Sequence, residues 1–150
     1  MKVELTSNWS AEKFAPYGAA VTAAMRKPAE RFPREVTVGH LARDVVDGKR
    51  QLWLVLDDDN RFVAFVLTEV QVNAATGLKT LVIPSFAGED GASTVPLIGA
   101  IEAWGKEQGC DEVMVWGRRG WKPALARQGY SLDLAVFRKA FWRSPGVAPG

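Results

Sequence analysis

Cysteine is almost missing from this 150-residue chain: Cys110 stands alone, so no intramolecular disulfide can form. Histidine is as scarce, with His40 the single example. No Cys/His set of the kind that closes a structural zinc site exists, and no metal is expected. No stretch approaches the roughly 18 consecutive apolar residues of a membrane span, and the first residues, MKVELTSNWSAEKF, lack the apolar run of a signal peptide. A soluble cytoplasmic protein in a reducing compartment is the expectation, with no membrane partner. Nor does charge of one sign dominate. Nineteen basic against seventeen acidic residues leave a net charge of +2, too little for the electrostatic footprint of a dedicated nucleic-acid binder. No internal repeat is visible.

What is present is ordinary for a globular chain: 47% hydrophobic and 24% charged residues. A chain this long can bury roughly 70% of its unfolded surface in one core. A single domain over 1–143 is expected, followed by a disordered tail, SPGVAPG, at 144–150. The six tryptophans are read first as core fillers.

The elements follow from periodicity. After a short strand at Lys2 to Leu5, Ala11 to Met25 carries apolar residues at helical spacing, and Lys27-Pro28 is expected to end that helix. Val38 to Asp47 repeats the pattern behind Thr37 as cap and ahead of Gly48. LWLVL, the turn-rich DDDN and RFVAFVLTEVQV then read as a hairpin, and LKTLVIPSF beyond Ala75-Thr76-Gly77 as a third antiparallel strand. From Thr94 to Gly109 a helix shows Leu97, Ile98, Ile101 and Trp104 on one stripe. EVMVW, Glu112 to Trp116, is apolar at both phases after its first residue and is expected inside the sheet. A short helix over Trp121 to Gln128 and a last strand, LDLAVFRKAF, complete the order. That order predicts an α+β (mixed α/β) domain in which one helix crosses between the third hairpin strand and the strand at Glu112.

The order, together with QLWLVLDDDNRFVAFVLTEV, IEAWGKEQGCDEVMVWGRRGW and LARQGYSLDLAVFRKAF, resembles the GNAT family of acyl-CoA-dependent N-acyltransferases, and in particular a small GNAT-like group found in phage and prophage genomes. The resemblance implies a central, mostly antiparallel mixed sheet with helices on both faces. It implies acetyl-CoA or CoA as cofactor, bound where the strand before the central helix splays from its neighbour, with the pyrophosphate at the helix N-terminus, where free N–H groups and the helix dipole favour an anion. The corresponding segment here is VIPSFAGEDGAS, so Ile83, Ser85, Gly88, Gly91 and Ala92 are the candidate cofactor contacts. Ala87 stands where the family carries a basic residue, and Glu89 and Asp90 add two carboxylates beside the proposed pyrophosphate.

The junction GRRGW, Gly117 to Trp121, has two readings. Gly117 and Gly120 can make a tight strand-to-helix turn with Trp121 packed beneath the helix. Alternatively, Arg118 or Arg119 binds a CoA phosphate or an acidic acceptor through its guanidinium fork. The resemblance puts an Asn at Arg118 and a proton-donating Tyr at Leu125 in catalytic relatives, and neither is present. Acylation of an amine needs a base to remove a proton from the ammonium, and Glu69 in VLTEV is the candidate, against an ordinary solvent-facing strand residue. His40, on the second helix, can border the acceptor site or lie on the surface, and Cys110 reads as an inert buried thiol. RRGWK mixes basic and aromatic residues but has no wider basic surface for stacking on nucleic acid.

Two functions follow. One is an N-acetyltransferase acting on a small-molecule or protein amine, with degenerate catalytic and CoA-loop motifs. The other is a non-catalytic GNAT-fold protein of phage or prophage origin with a structural or binding role. GNAT-like domains often pair through sheet edges or terminal strands, so the resemblance also admits a homodimer.

Overall fold

The computed structural model describes residues 1–31, 37–88, 95–117 and 119–141, without the side chains of 31, 85–88 and 119. Five strands form one sheet in the order β1-β2-β3-β4-β5: β1 Lys2–Leu5, β2 Gln51–Leu56, β3 Phe62–Val72, β4 Lys79–Gly88 and β5 Glu112–Val115. The first four are antiparallel neighbours, and β5 runs parallel to β4. A parallel pair cannot be joined by a tight turn. The crossover is made by helix α4, Ile98–Glu107, as the order of the sequence predicts.

Local chemistry explains the turns. Asp57 Oδ1 accepts from the backbone N–H groups of Asp59 and Arg61, while Asn60 takes the left-handed conformation that closes the β2–β3 hairpin. Asn73 Oδ1 does the same for Ala75 and Thr76 between β3 and β4. α3, Val38–Val46, begins at Thr37, whose hydroxyl accepts from the His40 N–H, and ends before Gly48 at positive φ.

The first helical segment starts at Ala11 as expected but differs in its middle and at its C-terminal end. α1 stops at Phe14, a 3₁₀ turn spans Ala15–Tyr17, and α2 then runs from Gly18 to Arg31, straight through Pro28. A proline inside a helix costs about 3 kcal/mol. Burial of Val21, Ala24 and Met25 one to two turns earlier offsets it, at ~1.5–3 kcal/mol for a large apolar side chain.

Helices cover both faces of the sheet. On one, α2 and α3 pack Val21, Met25 and Leu41 onto Leu52, Leu54, Leu56, Phe65 and Leu67. On the other, Ile98 and Ile101 of α4 and Trp121 and Leu125 near the C-terminal helix α5, Lys122–Arg127, pack onto Val55, Val66, Leu81 and Ile83. Trp53 and Trp104 meet edge to face at 5.6 Å within this second core, so these two tryptophans are fillers.

Two expectations fail at the margin. β5 is the outermost strand, not an interior one, and its Glu112 and Met114 side chains face solvent. The expected strand in LDLAVFRKAF does not form: residues 131–140 make no regular secondary structure and their side chains are exposed. The two corrections have one cause. A strand needs a neighbour to satisfy its backbone, and with no sixth strand among the described residues β5 is left as their edge strand.

Candidate functional site

The sheet opens where β4 and β5 part. Their ladder runs from Thr80↔Glu112 to Ile83↔Val115 and closes with the Trp116 N–H donating to the Ile83 carbonyl at 3.1 Å. β4 continues to Gly88, still paired with β3 on its other side. Its register with β3 shifts at that level: Val82 faces Glu69 and Ser85 faces Leu67, so Ile83 and Pro84 together oppose Thr68. This is a β-bulge in β4, which bends the strand and increases its twist where the neighbour leaves. The bulge was not read from the sequence. Its signal was Pro84, since proline in an otherwise central strand marks a bulge or an edge.

The far wall of the opening is the segment that follows β5. Gly117 is packed so closely that a Cβ there would lie 3.0 Å from Trp121 Cε3 and 3.2 Å from Leu125 Cδ1, whereas Gly120 has open space around it. Gly117 is therefore required by the close approach of α5, and Arg119–Trp121 form a 3₁₀ turn leading into that helix. Leu125, where the resemblance expects a tyrosine, packs into the second core.

Beyond β4, residues 89–94 lead to a 3₁₀ turn at 95–97 and then α4. Val95 is fully buried and anchors this start, while Leu97 at the cap position supplies no side-chain hydrogen bond and no acidic residue stands in the first turn. Free N–H groups at a helix start suit an anion.

Of the residues picked from sequence, Ile83 is fully buried and its carbonyl ends the β4–β5 ladder. Ser85 and Gly88 lie on β4 beyond the bulge, paired with Leu67 and Ala64. Gly91, Ala92 and Arg118 fall outside the described residues, as does the side chain of Arg119. Glu69 sits next to Thr68, the residue the bulge faces, and turns toward α3. There Arg50 Nε lies 3.9 Å from Glu69 Oε2 and 3.3 Å from Asp44 Oδ2, His40 Nε2 is 3.4 Å from the same Asp44 oxygen, and Gln71 Nε2 donates to Glu69 Oε1. Asp44 is only 7% exposed. Sequence reasoning chose Glu69 and His40 separately. It missed Asp44 and Arg50, which join them, although Asp44 four residues after His40 puts both on one helix face.

Arg50 also lines a surface cavity of about 460 Å³ on this face, walled by Trp9, Phe14, Val45 and Leu52. Beneath the sheet's other face, Trp53 Nε1 donates to Thr68 Oγ1, which in turn donates to Gln51 Oε1, so the residue opposite the bulge is held by a hydrogen-bond chain. Tyr130, past Gly129, is packed against the second core, and its hydroxyl is buried with no well-directed hydrogen-bond partner. Burial, and then the nearby Glu102 carboxylate, push its phenol well above the usual value. Among the described residues, no group of three or more His, Cys, Asp and Glu is placed to hold a metal ion, and no helix is long and apolar enough to cross a membrane.

No family model and no curated protein sequence matches the chain. Solved structures do. An aminoglycoside acetyltransferase from an uncultured soil metagenomic sample, solved with sisomicin, superposes with a TM-score of 0.62 at 18% identity, over 94% of this chain and 96% of that one. Glucosamine-6-phosphate N-acetyltransferase from Arabidopsis thaliana gives 0.63 at 10% identity, over 93% and 97%. Ribosomal-protein-alanine N-acetyltransferase from Brucella melitensis gives 0.59 at 14%, over 94% and 100%. The chain thus has the GNAT-like fold along almost its whole length. At these identities the likeness speaks to fold alone.

Proposed function

We propose that the protein is an acyl-CoA-dependent N-acetyltransferase acting on an amine. One observation carries the reading: β4 bulges at Ile83 and Pro84 at the level where β5 leaves it, and the strand runs on to Gly88, ahead of α4, whose cap residue Leu97 makes no side-chain hydrogen bond. Acetyl-CoA bound there would supply the activated acyl group as a thioester. The backbone of Ile83 and Ser85 would flank its acyl end, Gly88, Gly91 and Ala92 would admit its pyrophosphate close to the main chain, and Arg118 or Arg119 would meet a phosphate.

The acceptor amine approaches in this reading from the α3 face, by the cavity that Arg50 lines. Glu69 takes the proton from the ammonium, and Arg50 and Gln71 hold its carboxylate in place. Backbone N–H groups of β4 beyond Pro84, which itself has none, would polarise the carbonyl under attack, as oxyanion donors do generally. Leu125 offers no proton, so the departing thiolate would take one from water. Of the three superposed enzymes, one is described by a protein acceptor, a ribosomal-protein alanine, and two by small-molecule amines, an aminoglycoside and glucosamine 6-phosphate. A small amine of that kind is the first acceptor class to screen. The expected result is acetyl transfer that falls ~10²-fold in Glu69→Gln while acetyl-CoA binding is kept. Transfer unchanged in Glu69→Gln would remove the carboxylate from the mechanism.

A second reading rests on the packing of Leu125 and Trp121 against Gly117, which fills with hydrocarbon the place where a proton donor is expected. It makes the chain a non-catalytic GNAT-fold binding or structural protein of the phage and prophage kind. CoA binding without turnover on any amine, or no binding at all, would favour it.

A further inference from the structure

The cavity that Arg50 lines has a chemistry of its own. Trp9, Phe14, Val45 and Leu52 border about 460 Å³ of space, the scale of a small-ligand site. The polar groups beside them are turned to the chain itself. Thr6 Oγ1 donates to the Leu52 carbonyl, Ser10 Oγ accepts from the Lys13 N–H, and Gln51 Oε1 accepts from the Thr68 hydroxyl. A hydroxyl-rich body entering here would shed its water and find few replacements.

The wall is held in place without a ligand. The Trp9 N–H donates to the Thr6 carbonyl, and its ring lies 5.8 Å from that of Tyr17. The Tyr17 hydroxyl donates in turn to the Asn60 carbonyl, which ties the segment to the β2–β3 turn. A wall fixed in this way spares a ligand the cost of ordering it.

Charge decides the rest. Arg50 offers a guanidinium, but Asp44 and Glu69 already share it, at 3.3 and 3.9 Å. A phosphate or carboxylate would have to displace them, where two carboxylates outnumber one guanidinium. His40, 3.4 Å from the same Asp44 oxygen, evens that count only when protonated. An ammonium meets the opposite field. Trp9 already draws one, since Lys13 Nζ sits 4.3 Å from the centre of its ring.

We propose that this cavity takes an organic ammonium with a compact apolar body, aryl or alkyl, and no anionic group. In the acetyltransferase reading, on which this role rests, that primary amine is the acceptor. Its ammonium gives one proton to Glu69 before attack and a second to solvent after it. The new C–N bond replaces the C–S bond of the thioester, and the thiolate leaves and takes a proton from water. Amide, CoA thiol and one net proton are the products.

Two measurements on the full chain separate the cavity's ligand from the reaction. The first is calorimetric titration, with and without CoA, using trimethyl(phenethyl)ammonium, a cation that cannot be acylated, and the neutral phenethyl alcohol. The cation is expected to bind with a Kd of about 1 mM or tighter. The alcohol binds at least ~10-fold more weakly, and Trp9→Ala weakens the cation by a similar factor, with circular dichroism confirming the fold. Val46, which borders the cavity and is 84% exposed, gives a variant that leaves the core alone. Val46→Lys weakens the cation about threefold at low salt, and high salt removes the difference. The second measurement is release of CoA thiol from acetyl-CoA with phenethylamine, hexylamine and glucosamine 6-phosphate. The first two are expected to exceed the third at least ~30-fold in kcat/KM. Binding of the cation with no transfer to any amine would uphold the cavity's ligand and end the acetyltransferase reading. Transfer to glucosamine 6-phosphate with no binding of the cation would keep the enzyme and overturn the proposal. Equal binding of the alcohol, or a cation indifferent to both variants, would overturn it as well.

Discussion

The two sides of the sheet are built on different terms. β2 and β3 each lie between two strands, and their Leu54, Val55, Phe65 and Leu67 are fully buried. From the bulge at Ile83 and Pro84 outward the sheet parts, β5 has four residues and one neighbour, and polar and apolar groups face water together. The first region holds the molecule up. The second is where backbone is left available for something else to bind, and stability is low where function requires an opening.

That contrast can be broken most directly in the closed region. Phe65→Ala removes a fully buried ring between α2 and the sheet and is expected to cost about 3–5 kcal/mol, seen as a lowered urea midpoint. Met114→Ala at the margin should cost no more than ~0.5 kcal/mol in the same titration, and a comparable loss at both sites would erase the distinction. Asp44→Ala leaves Arg50 without its nearer carboxylate in a largely buried setting, and a loss of about 1–3 kcal/mol is expected, with Glu69 as the remaining partner. Gly117→Ala forces a Cβ against Trp121 and Leu125 and should cost about 1–2 kcal/mol by displacing α5. The smallest effect is at Tyr130. Its phenol is held above the ordinary value of 10.0, so the folded state keeps its proton while the unfolded chain loses it, and stability should be intact below pH 10 and fall above it. Tyr130→Phe, which removes a buried hydroxyl with no well-directed partner, should be near neutral at pH 7 and should flatten that alkaline slope.

Sequence and structure agree where local chemistry decides the outcome. Asp57 to Asn60, Asn73 to Gly77, Thr37 and Gly48 act through their own backbones, and the elements they bound stand where periodicity put them. Disagreement begins where neighbours decide. Pro28 reads as a stop, but the burial of Met25 and Ala24 carries the helix past it. EVMV has the composition of a doubly covered strand, and only the lack of a sixth strand among the described residues makes it their edge. The site was legible in the same uneven way. The Gly117 junction was visible as an oddity, and Glu69 as a carboxylate on a strand. That Ile83 and Pro84 share one partner, and that Arg50 links Asp44 to Glu69, are matters of register and of long-range packing that no spacing along the chain encodes.

The most direct test of the account is calorimetric titration of the purified protein with acetyl-CoA and with CoA, repeated on Arg118→Ala and Arg119→Ala. Micromolar binding that one of these changes weakens about tenfold, the size expected for losing a charge-assisted hydrogen bond, is the predicted result, and it would make the opening beside β4 a cofactor site. No heat and no thermal shift at millimolar ligand would contradict the account, leaving GRRGW a turn that Gly117 makes for packing alone.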